Sequence, residues 1–135
     1  MRLHGQYQEP ENSVASLRVE IFAEEDWQMF DLNSGSGGFL IFVYSILSCQ
    51  HMHMRLGCAG RGLLLDSAEG YIHVTTTEDW MLSDLRVEFT GNLRSGAPTQ
   101  DDIGYLVERM ANCPVSRNLA YTASDHTRLV LVPVD

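Results

Sequence analysis

The sequence predicts an α+β fold, an antiparallel sheet wrapped on one long central helix, and three observations carry that expectation. Gly38 to Ala59 is the only long run whose apolar residues could be buried on all sides, with Phe39 to Leu47 interrupted by Ser45 alone and no Gly or Pro before Gly57. Segments before and after it alternate with the period of two that a half-buried strand requires. The order runs strands, long helix, strands, two short helices and a last strand, a segregated pattern that favours antiparallel pairing.

The elements follow in order. Met1 to Ser13 is polar, with an edge strand expected around Leu3 to Tyr7. Val14 to Phe22 places Leu17, Val19 and Ile21 on one face and Arg18 and Glu20 on the other, as a strand does. Glu24 to Asp26 make a turn, Trp27 to Leu32 a return strand, and Asn33 to Gly38 a Gly/Ser breaker that feeds the helix. At helical spacing Phe42, Ser45, Ile46, Cys49, Met52, His53 and Leu56 form one stripe, which sets the Cys49 thiol on an apolar face with His53 one turn on. Gly57, Gly60 and Gly62 offer helix-ending positions. Ala68 to Thr77 and Leu85 to Phe89 alternate as a hairpin, and Gly91 to Pro98 is a second breaker. Thr99, followed three residues later by Asp102, opens a helix to Ala111 with Ile103, Leu106, Val107 and Met110 on one face. Cys113 starts a third helix, Pro114 to Ala120, because proline suits a first helical position. Arg128 to Val134 is apolar on both faces and closes the chain as an inner strand. One sheet cannot cover so apolar a helix, so an obligate dimer with the two central helices close together is expected.

The 135 residues, 44% hydrophobic, suffice for one domain with a core, spanning 1–135, with no room for a second. The apolar run near residue 40 is too short to cross a bilayer, and residues 1 to 13 lack a signal-peptide pattern, so a cytoplasmic protein is expected. The net charge is −9 and all nine basic residues are Arg. Without lysine there is no Schiff base and no P-loop, and an acidic surface repels phosphate backbones, so neither nucleic acid nor membrane is an expected partner.

Three cysteines, 49, 58 and 113, contain no C-x-x-C and are odd in number, which fits neither a disulfide framework nor a zinc knuckle. Cys113, at a helix start, would face unpaired backbone N–H groups that favour thiolate, and its pKa should fall. Cys49, in mid-helix, would need a cation, either His53 or an Arg brought in by the fold. Taken singly, a buried cysteine in an apolar helix is most often plain packing. Cys58 lies nine residues after Cys49, about half a turn out of phase, and points away as a structural residue. His51 and His53 diverge by about 200° on a helix and cannot share a metal; Cys49 and His53 lack a third ligand, so no metal and no cofactor are expected. Asn33 to Gly38 has no βαβ context for a nucleotide. Arg117, one turn after Cys113, either pairs with it or caps an acidic neighbour.

ILSCQHMHMRLGCAGRGLLLDS, from Ile46, resembles the central helix of the OsmC/Ohr-like proteins with its first cysteine, and Cys113-Pro114-Val115-Ser116-Arg117-Asn118-Leu119 resembles their second-cysteine motif. The similarity spans residues 37 to 134 and is most specific at CPVSRNL; residues 1 to 36 match only as paired strands. The resemblance implies an intertwined homodimer in which antiparallel sheets enclose two long helices, with the active site near the dimer interface. It implies a stress-response thiol peroxidase reducing small apolar organic hydroperoxides at the expense of a thiol reductant. Cys49 would be the peroxidatic cysteine, Cys113 the resolving one, and Arg18 the arginine that holds the thiolate, with Arg2 the other candidate. Where peroxidases of the family commonly carry a Glu at the helix start, this chain has Phe39 and Leu40. A non-catalytic OsmC-like dimer that binds a small molecule, or a redox sensor that signals by disulfide formation, stands beside the peroxidase.

Overall fold

The computed structural model describes residues 1–119 and 125–133. One six-stranded sheet carries the fold, its strands β1 (Arg2–Gln8), β2 (Ser13–Ala23), β3 (Asp26–Met29), β4 (Leu64–Thr76), β5 (Leu82–Ser95) and β6 (Asp125–Val132) in the order β3-β2-β1-β4-β5-β6. Against one face lie the helices α1 (Gly38–Gly60), α2 (Gln100–Ala111) and the single turn α3 (Pro114–Arg117). The architecture is α+β, as the sequence predicts.

The sheet is not wholly antiparallel. β6 runs parallel to β5, with Phe89 opposite Leu129 and Val87 opposite Thr127. Two short helices between the last strands form a crossover, and a crossover is what returns a chain parallel to the strand it left. β5 also runs through the expected breaker at Gly91. A Cβ there would lie 2.9 Å from both Leu131 and Leu65, so this glycine marks close strand packing and not a turn. Gly70 is alike: any side chain would overlap the Phe89 ring that sits opposite it.

Local signals hold at the helices. Thr99 caps α2 through the Asp102 N–H at 3.1 Å while the Asp102 carboxylate accepts from the Thr99 N–H at 3.0 Å, a reciprocal capping box. The third helix ends at Arg117; its expected last residue, Ala120, and the expected end of the last strand, Val134, lie outside the described residues.

The core sits between sheet and helices. Leu3, Leu65, Ile72, Leu85, Phe89 and Leu93 meet Ile46, Leu47, Met54 and Cys58 of α1, and Leu106 and Met110 of α2, all essentially without solvent exposure. The buried side of α1 therefore runs along Val43, Leu47, Gln50, Met54 and Cys58. Of the expected Cys49 stripe only Ile46 belongs to it, while Met52 and Leu56 face out. An almost continuously apolar run carries little information about which side is inward, so the assignment fails there. A single chain covers one side of α1, and Leu40, Ile41, Met52 and Leu56 stay between 36% and 42% exposed. Among the described residues no helix is long and apolar enough to cross a membrane.

Candidate thiol site

α1 and α3 bring two of the three cysteines together. Cys113 precedes Pro114 at the start of α3, and its Sγ accepts from the Ser116 N–H at 3.3 Å in the manner of an N-cap side chain. Its S–H points to Ser116 Oγ at 3.2 Å. Cys49, half-buried on α1, lies close enough to Cys113 for the two thiols to act on one another. Burial first, and then the neighbouring Cys113 thiol, push the Cys49 thiol above its ordinary pKa, while the Val115 backbone N–H acts in the opposite sense. All three cysteines are free thiols.

Cys58 is fully buried on the far side of α1, where desolvation pushes its thiol up to about 12, so it is inert packing as its helical phase predicts.

Among the described residues of this chain no cation acts on the Cys49 thiol. Arg18 stands on the outer face of the sheet, opposite His4 in register and 3.5 Å from the Glu20 carboxylate, with the sheet between it and α1. Odd-numbered residues of β1 face the helix and even-numbered ones face away, and Arg18 shares the even face through its pairing with β1. Arg2 is on the same outer face, 2.6 Å from Glu20 and stacked over Trp27. His53 does not substitute: burial and the charge of Arg109 lower its pKa, which leaves it neutral at pH 7. Arg117 points to solvent. Among the described residues no cluster of His, Cys, Asp or Glu could hold a metal.

Three residues that sequence reasoning passes over complete the site. Gln50, next to Cys49, is fully buried; its Nε2 donates to Ser116 Oγ at 2.9 Å, and its Oε1 accepts from Thr127 Oγ1 of β6 at 3.3 Å. A signal for Ser116 exists, since it stands at the third helical position after the Cys113 cap, where a side chain folds back on the helix start. Thr127 carries none, because its role depends on the parallel docking of β6.

An apolar cleft of about 340 Å³ lies two turns before Cys49, lined by Phe39, Phe42, Trp80, Met81, Leu82 and Leu119 with Asn118 at its edge. Phe42 is seven residues before Cys49 and so shares its helical face. The volume is at the lower end of the range that small ligands occupy.

No family model matches the chain, and no curated protein does. Solved structures match in shape. A hypothetical protein from Aquifex aeolicus VF5 superposes with a TM-score of 0.65 at 8% identity, over 87% of this chain and 96% of the other. An OsmC-like protein from Mycoplasma pneumoniae superposes with a TM-score of 0.57 at 9% identity, over 87% and 89%. One sheet backed by a long helix, with a cysteine on that helix meeting a second at the start of α3, is thus carried on a chain that has the OsmC/Ohr-like fold.

Proposed function

We propose that the protein is a thiol peroxidase that reduces organic hydroperoxides through Cys49 and Cys113. The observation that carries this reading is the contact between the two thiols, with Cys58 held apart in the core. The Cys49 thiolate attacks the distal peroxide oxygen, the O–O bond breaks, and the alkoxide leaves as the alcohol after taking a proton. The resulting sulfenic acid reacts with the Cys113 thiol, an S–S bond forms, and the hydroxyl departs with the thiol proton as water. An external dithiol then reduces the disulfide and is itself oxidised. The apolar cleft on the Cys49 side of α1 suits the organic part of the substrate.

A second copy of the chain belongs to the same reading, since the outward residues Leu40, Ile41, Met52 and Leu56 of α1 are apolar and no described residue covers them. A reducing compartment such as the cytoplasm suits the three free thiols.

Purified protein with cumene hydroperoxide and a dithiol should consume peroxide faster than its Cys49→Ser and Cys113→Ser variants, and the same sample should scatter light as twice 15.2 kDa. Because burial and Cys113 hold Cys49 in its protonated form, turnover should climb as pH rises through the thiol range. The non-catalytic alternative, binding in the apolar cleft, draws support from that raised pKa and from Phe39 at the helix start, where peroxidases carry a Glu. Consumption no faster than that of Cys49→Ser, with no Cys49–Cys113 bridge formed on oxidation, would favour it over the peroxidase and over a redox sensor.

A further inference from the structure

Gln50 is a polar side chain in an apolar core, with no exposure at all. A buried amide is costly unless its hydrogen bonds are made, and both ends of this one are bonded, to Ser116 and to Thr127. Its amide group meets Ser116 Oγ, and that oxygen also accepts the S–H of Cys113. Consecutive residues of α1 thus grip α3 at two points, Cys49 at the cap residue Cys113 and Gln50 at Ser116 three residues on.

We propose that Gln50 is a positioning residue: through Ser116 it turns the Cys113 S–H away from Cys49, so that a sulfur lone pair faces the sulfur it must join. Ser116 Oγ is fixed by the Gln50 amide at 2.9 Å, and it accepts the Cys113 proton at 3.2 Å while the Ser116 N–H holds Sγ at 3.3 Å. These contacts leave the remaining direction at Cys113 Sγ for Cys49. Closure of the bridge then needs no reorientation of Cys113, and such alignment is what an intramolecular step gains most from. In that step Cys113 gives up its proton, the S–S bond forms, and the group carried by Cys49 leaves with the proton.

This inference rests on Cys49 and Cys113 acting as a redox pair, and its test separates the two. Closure of the bridge is followed by quenched mass spectrometry with two oxidants, cumene hydroperoxide and diamide; diamide needs no peroxidase chemistry. Trapping with dimedone reports the Cys49 sulfenic acid separately. In Gln50→Leu, closure should slow about tenfold, as the loss of one buried hydrogen bond implies, while Cys49 is oxidised at the wild-type rate and dimedone traps more of its sulfenic acid. Ser116→Ala, which leaves Gln50 in place, should show the same defect, and Ser116→Thr, which restores the hydroxyl, should remove it. Wild-type closure in both Gln50→Leu and Ser116→Ala overturns the proposal, as does a Ser116→Thr protein as slow as Ser116→Ala. Closure with diamide but not with peroxide overturns the peroxidase reading alone, and the variants still decide on Gln50. Wild-type protein that closes with neither oxidant overturns both.

Discussion

Asn12→Ala should lower the unfolding free energy by about 4 kcal/mol, measured by chemical denaturation, the largest effect expected from any single truncation of a polar side chain in this protein. Asn12 sits in the turn between β1 and β2, has no solvent exposure, and ties that turn to α1 at Arg55 and to the start of β4 at Leu63 and Leu65. Its Nδ2 donates to the carbonyls of Leu63 at 3.0 Å and Arg55 at 3.2 Å, and its Oδ1 accepts from the Leu65 N–H at 2.8 Å. Truncation strands buried backbone groups of residues 63 and 65, at about 1–3 kcal/mol each. Asn12 also has φ of 53°, a left-handed conformation that asparagine tolerates and alanine resists by about 1 kcal/mol. A total near 4 kcal/mol is a large fraction of the roughly 5–15 kcal/mol by which domains are stable. Asn12→Gly should recover the backbone part of the loss and none of the hydrogen-bond part. A change below about 1 kcal/mol for Asn12→Ala would show that water reaches this turn and satisfies those groups.

Acidification should destabilise the protein through His51. This residue is buried on α1, with Nε2 2.7 Å from Tyr7 Oη and its ring stacked on Phe89. Burial first, and the charge of Arg55 second, lower its pKa from 6.5 to about 4. The folded state thus keeps His51 neutral where the unfolded chain binds a proton. Above pH 6.5 neither state is protonated and His51 contributes nothing to the pH dependence. As pH falls from 6.5 to 4 the unfolded state gains, and the loss reaches about 3 kcal/mol. Denaturant midpoints at pH 7.5 and 4.5 measure it. Glu20 and Asp102, both lowered by their hydrogen bonds, lose their contributions at more acid pH, and His53 is lowered in the same sense as His51, so the comparison with His51→Gln isolates the residue. That variant retains a partner for the Tyr7 hydroxyl and should show a markedly flatter dependence. Equal slopes in the two proteins would assign the acid sensitivity elsewhere.

Elements governed by local rules are legible in the chain. The strand at β2, the capping box at Thr99 and the Cys113-Pro114 helix start each follow from neighbours a few residues away, and each is present. What depends on distant partners is not. The direction of β6 is decided by the path of α2 and α3, and the passage of β5 through Gly91 is decided by Leu65 and Leu131 on the flanking strands. The same division runs through the site. Cys49 and Cys113 could be named from motif and spacing, but Gln50 reads as one polar residue in an apolar helix until Ser116 and Thr127 arrive beside it. Arg18 is legible as a charged strand residue, but its place on the outer face of this chain's sheet is not, since alternation fixes which residues share a side and not which side is inward.

One measurement tests the thiol-pair account most directly: peptide mapping after one equivalent of cumene hydroperoxide, with alkylation of the remaining thiols under unfolding conditions. The account predicts a single bridge between Cys49 and Cys113, with Cys58 alkylated, because the first two are in contact and the third is buried on the opposite side of α1. A map in which Cys49 and Cys113 are both alkylated, or in which Cys58 takes part in the bridge, would contradict it.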